Sequence, residues 1–401
     1  VSAERARAQA TVHLTWTEPP EDPIEHSQSL QILLDPDGDY WVIESIEALE
    51  PPLRTEWTRD HFARHAPRNP TLDHRTKISA IRVSFPGIDA SGPGHALAQG
   101  VLRELPAALV AFRAQDARVL WLGYRLATSN VDFCEDVTAS AGMLLHDMAS
   151  YGEGDKLRDL LRLEGDVGVQ ALVPDGPAMR AGLRVDDTVT AIGDLRIADI
   201  PMAGARPWAR IEAVRAETER VLAETGAVPV SVLRDGVPLT FDIVGSPACR
   251  SRFEIGEGSS AVADGHRVVI GPDFAGLDYP DPLLAAVLAH EFAHNVLKHR
   301  AWFDANGGRQ QKTVRLTERE ADRLMPWLLV NAGFEPSAAS AFMETWGPRH
   351  GGWIFRKRTH DGWDERRDFI EAEFPLIESL VAETGKADWA EHFRREDMPS
   401  D

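Results

Sequence analysis

Hydrophobic and polar positions along the first 115 residues follow a pattern that predicts short strands and one helix. The segments 12–16, 40–43 and 80–85 are rich in β-branched and aromatic residues and are separated by turn residues. Residues 94–113 show helical spacing of apolar positions. We therefore expect residues 1–115 to form an α+β accessory region, to which the sequence assigns no role.

The pattern of the middle segment, residues 153–247, is typical of a small β domain with one helix. Two strands are predicted, at 168–173 and 188–192, and a helix at 208–225. Asp235-Gly236 lies between two apolar runs, and Asp-Gly is a preferred hairpin turn. The helix has apolar residues on one face, namely Ile211, Val214, Val221 and Leu222.

A long apolar helical run begins at Asp281-Pro282, where Asp281 is the expected N-cap. It contains His290-Glu291-x-x-His294, an H-E-x-x-H pattern. Residues four apart share one face of a helix, so both imidazoles can bind one zinc ion. Glu291 lies beside the first ligand, where it can act as general base toward a water molecule. The sequence therefore predicts a catalytic zinc site.

The third ligand has two candidate positions. A histidine six residues after His294 is excluded, because Leu297 and Arg300 occupy the Gly and His positions of that longer pattern. His299 lies five residues after His294, and a straight helix would turn it away from the ligand face. We expect it to be a packing or solvated histidine.

A glutamate from a following helix is the other candidate. Glu318 and Asp322 are four apart in an amphipathic segment predicted to start at Thr317. Glu318 can ligate zinc while Asp322 holds the second ring nitrogen of a ligand histidine. Glu320 is expected to point elsewhere, and it could form a capping box with Thr317.

These two motifs together resemble the HtpX-like and CAAX-prenyl-protease-like zinc metallopeptidases, which are gluzincins. The resemblance covers roughly residues 248–370 and implies one zinc ion per chain, held by His290, His294 and Glu318. It also implies a mainly helical domain with a small edge sheet, in which the segment 261–270 lies along the cleft and binds an extended substrate. Ser260 replaces the family's usual Asn there.

Two further residues come from the same resemblance. Thr359-His360 with Arg366 is similar to a family segment in which a proline stands where this chain has Asp361. His360 or Arg366 would stabilise the oxyanion of the reaction. His360 could instead take the fourth zinc position and keep the enzyme latent, and a surface histidine is the remaining alternative.

The middle segment resembles a PDZ domain of the bacterial protease type. Gly176-Pro177-Ala178 is followed by Ala181-Gly182-Leu183 and Asp186, matching the pattern G-P-A-x-x-A-G-L with a following Asp. The resemblance implies a barrel-like β domain that binds a peptide at a sheet edge. A purely structural β domain is the alternative.

The resemblances together predict an α+β protein with a PDZ domain inserted into a peptidase. Residues 116–152 would be the first helical part of the peptidase, with a helix at 128–151, and residues 153–247 the PDZ domain. Residues 248–401 would then be the catalytic domain. Cys134 and Cys249 are the chain's two cysteines and flank the insertion. We expect a disulfide between them and a periplasmic or cell-envelope location; two free thiols in a cytoplasmic protein are the alternative.

The composition of the chain excludes some classes of binding partner. The chain of 401 residues carries a net charge of −20, which argues against nucleic acid and anionic membrane surfaces. No apolar run is long enough to cross a bilayer, and no signal peptide is visible after Val1, so we expect a soluble relative of the membrane-bound members. His61 and His65 are four apart but have no evident third ligand.

The sequence thus predicts a zinc endopeptidase acting on protein or peptide substrates, with a role in cell-envelope protein quality control as one expectation. A PDZ-type binding or adaptor protein with a structural or inactive zinc site is the main alternative. A metalloenzyme for non-peptide substrates is another. The intact Glu291 favours the enzyme, because a structural zinc site has no use for a base.

Overall fold

The computed structural model describes residues 6–16, 24–37, 40–48, 77–84, 107–202, 206–256, 258–350 and 362–398. The chain divides into two compact units, residues 1–104 and 105–401. Helices and open sheets alternate irregularly in the second unit, so the fold is α+β as the sequence predicts.

The described residues of the first unit form an antiparallel sheet of four strands in the order β3-β2-β1-β4. The strands are β1 (Ala6–Trp16), β2 (Ile24–Asp37), β3 (Tyr40–Ala48) and β4 (Lys77–Ser84). All three strands predicted for this region are present, and each is longer than its apolar run or displaced from it by a few residues. Of the predicted helix at 94–113, residues 94–106 lie outside the described residues.

The second unit contains eleven further strands in its described residues. They are β5 (Val137–Ser140), β6 (Met143–Asp147), β7 (Val167–Leu172), β8 (Thr188–Ile192), β9 (Leu195–Arg196), β10 (Ala227–Arg234), β11 (Val237–Val244), β12 (Ser246–Cys249), β13 (Arg252–Ile255), β14 (Ala261–Ala263) and β15 (Arg267–Ile270).

The α-helices of the same described residues also number eleven. They are α1 (Ala107–Ser129), α2 (Gly154–Leu161), α3 (Pro177–Arg180), α4 (Ala209–Thr225), α5 (Asp281–Val296), α6 (His299–Ala305), α7 (Gln311–Asn331), α8 (Ser337–His350), α9 (Trp363–Glu371), α10 (Phe374–Thr384) and α11 (Trp389–His392). None of the helices in the described part of the chain combines the length and the apolar character that a bilayer crossing needs.

The middle sheet, our name for the sheet with strand order β11-β10-β8-β7-β6 and with β9 paired to β8, is covered by α4. The four apolar residues predicted to face one side of α4 are all buried against it. The Asp235-Gly236 turn joins β10 to β11 with both residues at positive φ, 52° and 76°, as the hairpin prediction requires. Strand, helix and hairpin predictions for this segment are therefore confirmed.

The predicted helix at 128–151 is wrong. The helix of this region is α1, which ends at Ser129, and residues 137–147 form β5 and β6 instead. Gly142 separates the two strands at a φ of 65°, in the left-handed region that a glycine adopts at no steric cost. Because β6 pairs with β7, the middle sheet begins at residue 143, ten residues before the predicted boundary.

Cys134 and Cys249 form a disulfide, with Cα atoms 5.5 Å apart and a sequence separation of 115 residues. Next to the bond, β5 pairs antiparallel with β12. The chain therefore leaves for the middle sheet and returns from it at one point, and the predicted cysteine pairing is confirmed.

Helices α1, α6, α8 and α9 pack against α5, α7 or both, and α5 and α7 also pack against each other. Leu284, Leu288 and Phe292 of α5 and Leu324 and Trp327 of α7 are fully or almost fully buried in one apolar cluster. The three-stranded sheet β13-β15-β14 packs beside this pair, with β14 against α5. The helix pair and the strand together frame the candidate site.

Candidate metal centre and cleft

Two elements bring three possible ligands together. His290 and His294 lie one turn apart on α5, with ring centroids 5.1 Å from each other. Glu318 extends from α7 toward both rings: its carboxylate oxygens lie 3.4 Å from His290 Nε2 and 3.6 Å from His294 Nε2. The three side chains are only 10–12 % exposed, so the packing of α5 against α7 fixes the arrangement.

The arrangement fits a zinc ion. The three donor atoms all lie within 4.8 Å of one another. In a tetrahedral site with bonds of 2.0–2.1 Å, neighbouring ligand atoms are about 3.4 Å apart. The two nitrogen–oxygen separations are close to that value before any adjustment. Two imidazoles and one carboxylate also form a ligand set that zinc accepts in catalytic sites.

The pKa values of the two histidines are shifted in opposite directions. Burial opposes the protonation of both ring systems, and it lowers the pKa of His294 to about 3. At His290, the carboxylates of Asp322 and Glu318 outweigh burial and raise the pKa to about 10. The proton on His290 therefore balances part of the negative charge that a cation would otherwise balance.

Asp322 lies behind His290, as the sequence predicts. Its Oδ1 is 3.1 Å from His290 Nδ1, although the ring N–H is not well aligned with it. Burial opposes the ionisation of this carboxylate, but Arg366 and His290 outweigh burial and hold its pKa below the usual range. Asp322 is thus an ionised acceptor behind a ligand ring, which orients the ring for ligation through Nε2.

His299 is 2 % exposed and so is the packing histidine that the sequence allows, but its orientation and the proposed capping box differ from expectation. His299 is not turned away, because α5 ends at Val296 and Lys298 has a φ of 57°, so that a new helix starts at His299. Its Nδ1 lies 2.7 Å from His294 Nδ1. Thr317 and Glu320 do not form a capping box, because α7 begins at Gln311 and both residues lie in its interior.

The metal centre opens on a cavity of about 330 Å³. Glu291 lines it, and so do the three residues of β14, the strand that packs against α5. In the three-stranded sheet β14 occupies one edge, since only β15 pairs with it among the described strands. The cavity thus combines the ligands, an acidic side chain and a strand edge.

The remaining predicted catalytic residues are His360 and Arg366. His360 lies outside the described residues, as do His61 and His65. Arg366 also lines the cavity, but its Nε and Nη2 donate to the carboxylate of Asp322 at 2.6 and 2.7 Å. Its predicted role at an oxyanion stays a prediction.

Comparison of the chain with protein-family models and with the sequences of curated proteins finds no match.

Proposed function

We propose that this protein is a zinc-dependent endopeptidase of the gluzincin type that holds one zinc ion through His290, His294 and Glu318. One observation carries the proposal: both Nε2 atoms and the Glu318 carboxylate converge on the wall of a cavity that Glu291 also lines. Peptide hydrolysis at a metal site needs a general base next to the ligands, and Glu291 is adjacent to His290 in the chain.

A zinc ion at this position would act as a Lewis acid toward a water molecule and a peptide carbonyl. Glu291 takes a proton from the water as its oxygen attacks the carbonyl carbon. The same carboxyl then passes the proton to the amine nitrogen as the C–N bond breaks. The reaction needs no reactant other than water and the peptide, and the Glu291 carboxylate is regenerated.

The substrate of this reaction would bind as an extended strand along β14. An edge strand offers unpaired backbone groups to a peptide, and alternate side chains of that peptide would then point into the cavity. The position of β14 supports this mode of binding, since the strand packs against the helix that carries His290 and His294.

We infer that the middle sheet is a PDZ-type domain that recognises or positions the substrate. The G-P-A-x-x-A-G-L pattern falls on the turn, short helix and following loop after β7. A groove of about 700 Å³ runs along β6, the last strand of the sheet, and α4 forms part of its wall. Peptides add to a sheet edge in such grooves.

The disulfide supports a location in an oxidising compartment, and we propose the bacterial periplasm or cell envelope. Cysteine pairs of this kind persist in secreted and periplasmic proteins and are rare in a reducing cytosol. A role in envelope protein quality control follows from an endopeptidase at that location.

Substitution of Glu291 tests the proposed activity. Glu291→Gln should retain one zinc per chain and lose casein cleavage by about 10²–10⁴-fold, because the ligands remain and the base does not. Glu335→Gln, at an exposed site away from the cavity, is the matched control and should cleave casein at the wild-type rate. Wild-type turnover by Glu291→Gln would refute the mechanism. Zinc binding without any proteolysis by the wild-type chain would favour the binding protein.

A further inference from the structure

We propose that His299, Glu320 and Arg395 form a positioning chain that fixes the tautomer and ring orientation of His294, so that its Nε2 atom is the one presented to a metal ion. The inference rests on the proposed metal site but assigns a role to three residues outside the ligand set. Each link of the chain is a buried or partly buried polar contact.

The first link joins the two imidazoles. His294 Nε2 faces Glu318, and its Nδ1 lies 2.7 Å from Nδ1 of His299. A neutral imidazole carries one N–H, so a ring that ligates through Nε2 must carry its proton on Nδ1. His294 Nδ1 therefore donates, and His299 Nδ1 must accept.

The second link sets the tautomer of His299. Its Nε2 lies 2.8 Å from an Oε2 atom of Glu320, and a carboxylate can only accept. His299 is 2 % exposed and Glu320 is fully buried, so water does not compete for either group. His299 thus carries its proton on Nε2, which leaves Nδ1 free to accept from His294.

The third link holds the Glu320 carboxylate in place. Arg395 donates to its carboxylate at 2.7 and 2.9 Å, and the backbone N–H of Glu396 donates at 2.7 Å. Arg395 also donates to the carbonyl of Leu297, at the end of α5. The chain therefore joins the ligand helix to a segment some 75 residues beyond Glu320.

A carboxylate bound by an arginine thus lies behind each ligand histidine, directly behind His290 and one side chain further away behind His294. Behind His290, a carboxylate clamped by Arg366 lies directly at Nδ1. Behind His294, an imidazole is inserted between the ring and a carboxylate clamped by Arg395. Such outer contacts raise the basicity of a ligand and lower the cost of ordering it.

Cobalt binding tests the proposal with a readout that is independent of proteolysis. His299→Leu removes both contacts of the chain, whereas His299→Asn keeps a carbonyl oxygen near the position of Nδ1. Competition with a chromophoric chelator should show Co²⁺ affinity about tenfold to hundredfold lower in His299→Leu. His299→Asn should recover much of that loss, and the visible spectrum of bound Co²⁺ should change in His299→Leu. His392→Leu, a partly exposed site, should behave as wild type.

Nitrogen-15 NMR of the metal-free protein tests the tautomers themselves. The chain requires a proton on Nδ1 of His294 and on Nε2 of His299. The opposite tautomer at His299, or a Co²⁺ affinity of His299→Leu within threefold of wild type, would overturn the proposal. If the affinities shift as expected and no variant cleaves casein, the endopeptidase proposal fails and the positioning chain stands. If the wild-type protein binds no metal, the proposed function fails, and the measured tautomers alone decide whether the positioning chain exists.

Discussion

The guanidinium of Arg366 donates two hydrogen bonds to the carboxylate of Asp322, at 2.6 and 2.7 Å. Asp322 in turn lies 3.1 Å from the Nδ1 atom of His290. An arginine proposed for the oxyanion is thereby tied to the rear of the metal centre. In the proposed site it would hold the carboxylate that orients His290, which suits a two-point guanidinium contact.

Replacement of Arg366 separates the two roles. In Arg366→Ala the buried Asp322 loses its strongest partner, and we expect zinc affinity to fall about tenfold. Arg367→Ala, at the adjacent and more exposed arginine, is the control. Zinc affinity is measured by chelator competition, and casein turnover is measured separately at saturating zinc. Unchanged affinity with a large fall in kcat would assign Arg366 to the oxyanion instead.

The two glutamates of α7 should differ in their effect on the metal. Glu320→Gln disturbs only the outer chain, so zinc binding should weaken about tenfold to hundredfold. Glu318→Gln replaces a carboxylate ligand with a neutral amide and should weaken it by clearly more. The zinc content that each variant retains after dialysis against a chelator gives the order of their zinc affinities. Equal losses, or the reverse order, would show that Glu318 is not the third ligand.

Metal binding should release a proton from His290. Its pKa of about 10 in the metal-free site means that the ring is protonated at pH 7, and a ligand nitrogen must be deprotonated. The proton competes with the metal, so apparent zinc affinity should rise with pH until the pKa is passed. Titration calorimetry in buffers of different ionisation enthalpy counts the protons.

Asp322→Asn provides the comparison for this count. Without that carboxylate the pKa of His290 falls, so fewer protons should be released at pH 7 than in the wild-type chain. Protons lost from a bound water contribute to both proteins and largely cancel in the difference. Equal release in the two proteins would contradict a protonated His290.

Reduction of the disulfide should destabilise the second unit. Cys134 and Cys249 are 115 residues apart, and closing so long a loop contributes about 4–5 kcal/mol in the chain-entropy model. Urea unfolding with and without reductant measures the loss. A Cys134→Ser, Cys249→Ser double variant should not respond to reductant. If both thiols of the native protein react freely with an alkylating agent, the disulfide is absent and the support for a periplasmic location is lost.

The sequence by itself determined the features that depend on neighbours along the chain. The spacing of His290 and His294 places them on one face of a helix, and the spacing of Glu318 and Asp322 does the same on another. Asp235-Gly236 specifies a hairpin because both residues tolerate positive φ. In each case the periodicity of a single element fixes which side chains lie together, whatever that element packs against.

The tertiary structure alone decided the features that depend on a break in periodicity or on distant partners. One left-handed residue, Lys298, ends α5 and turns His299 back toward His294. Glu320 is bound by Arg395, which lies in the segment after α11. Residues 137–147 became strands because β12 and β7 were available to pair with them. Local spacing carries no information about such partners, since chain folding sets the distance between them.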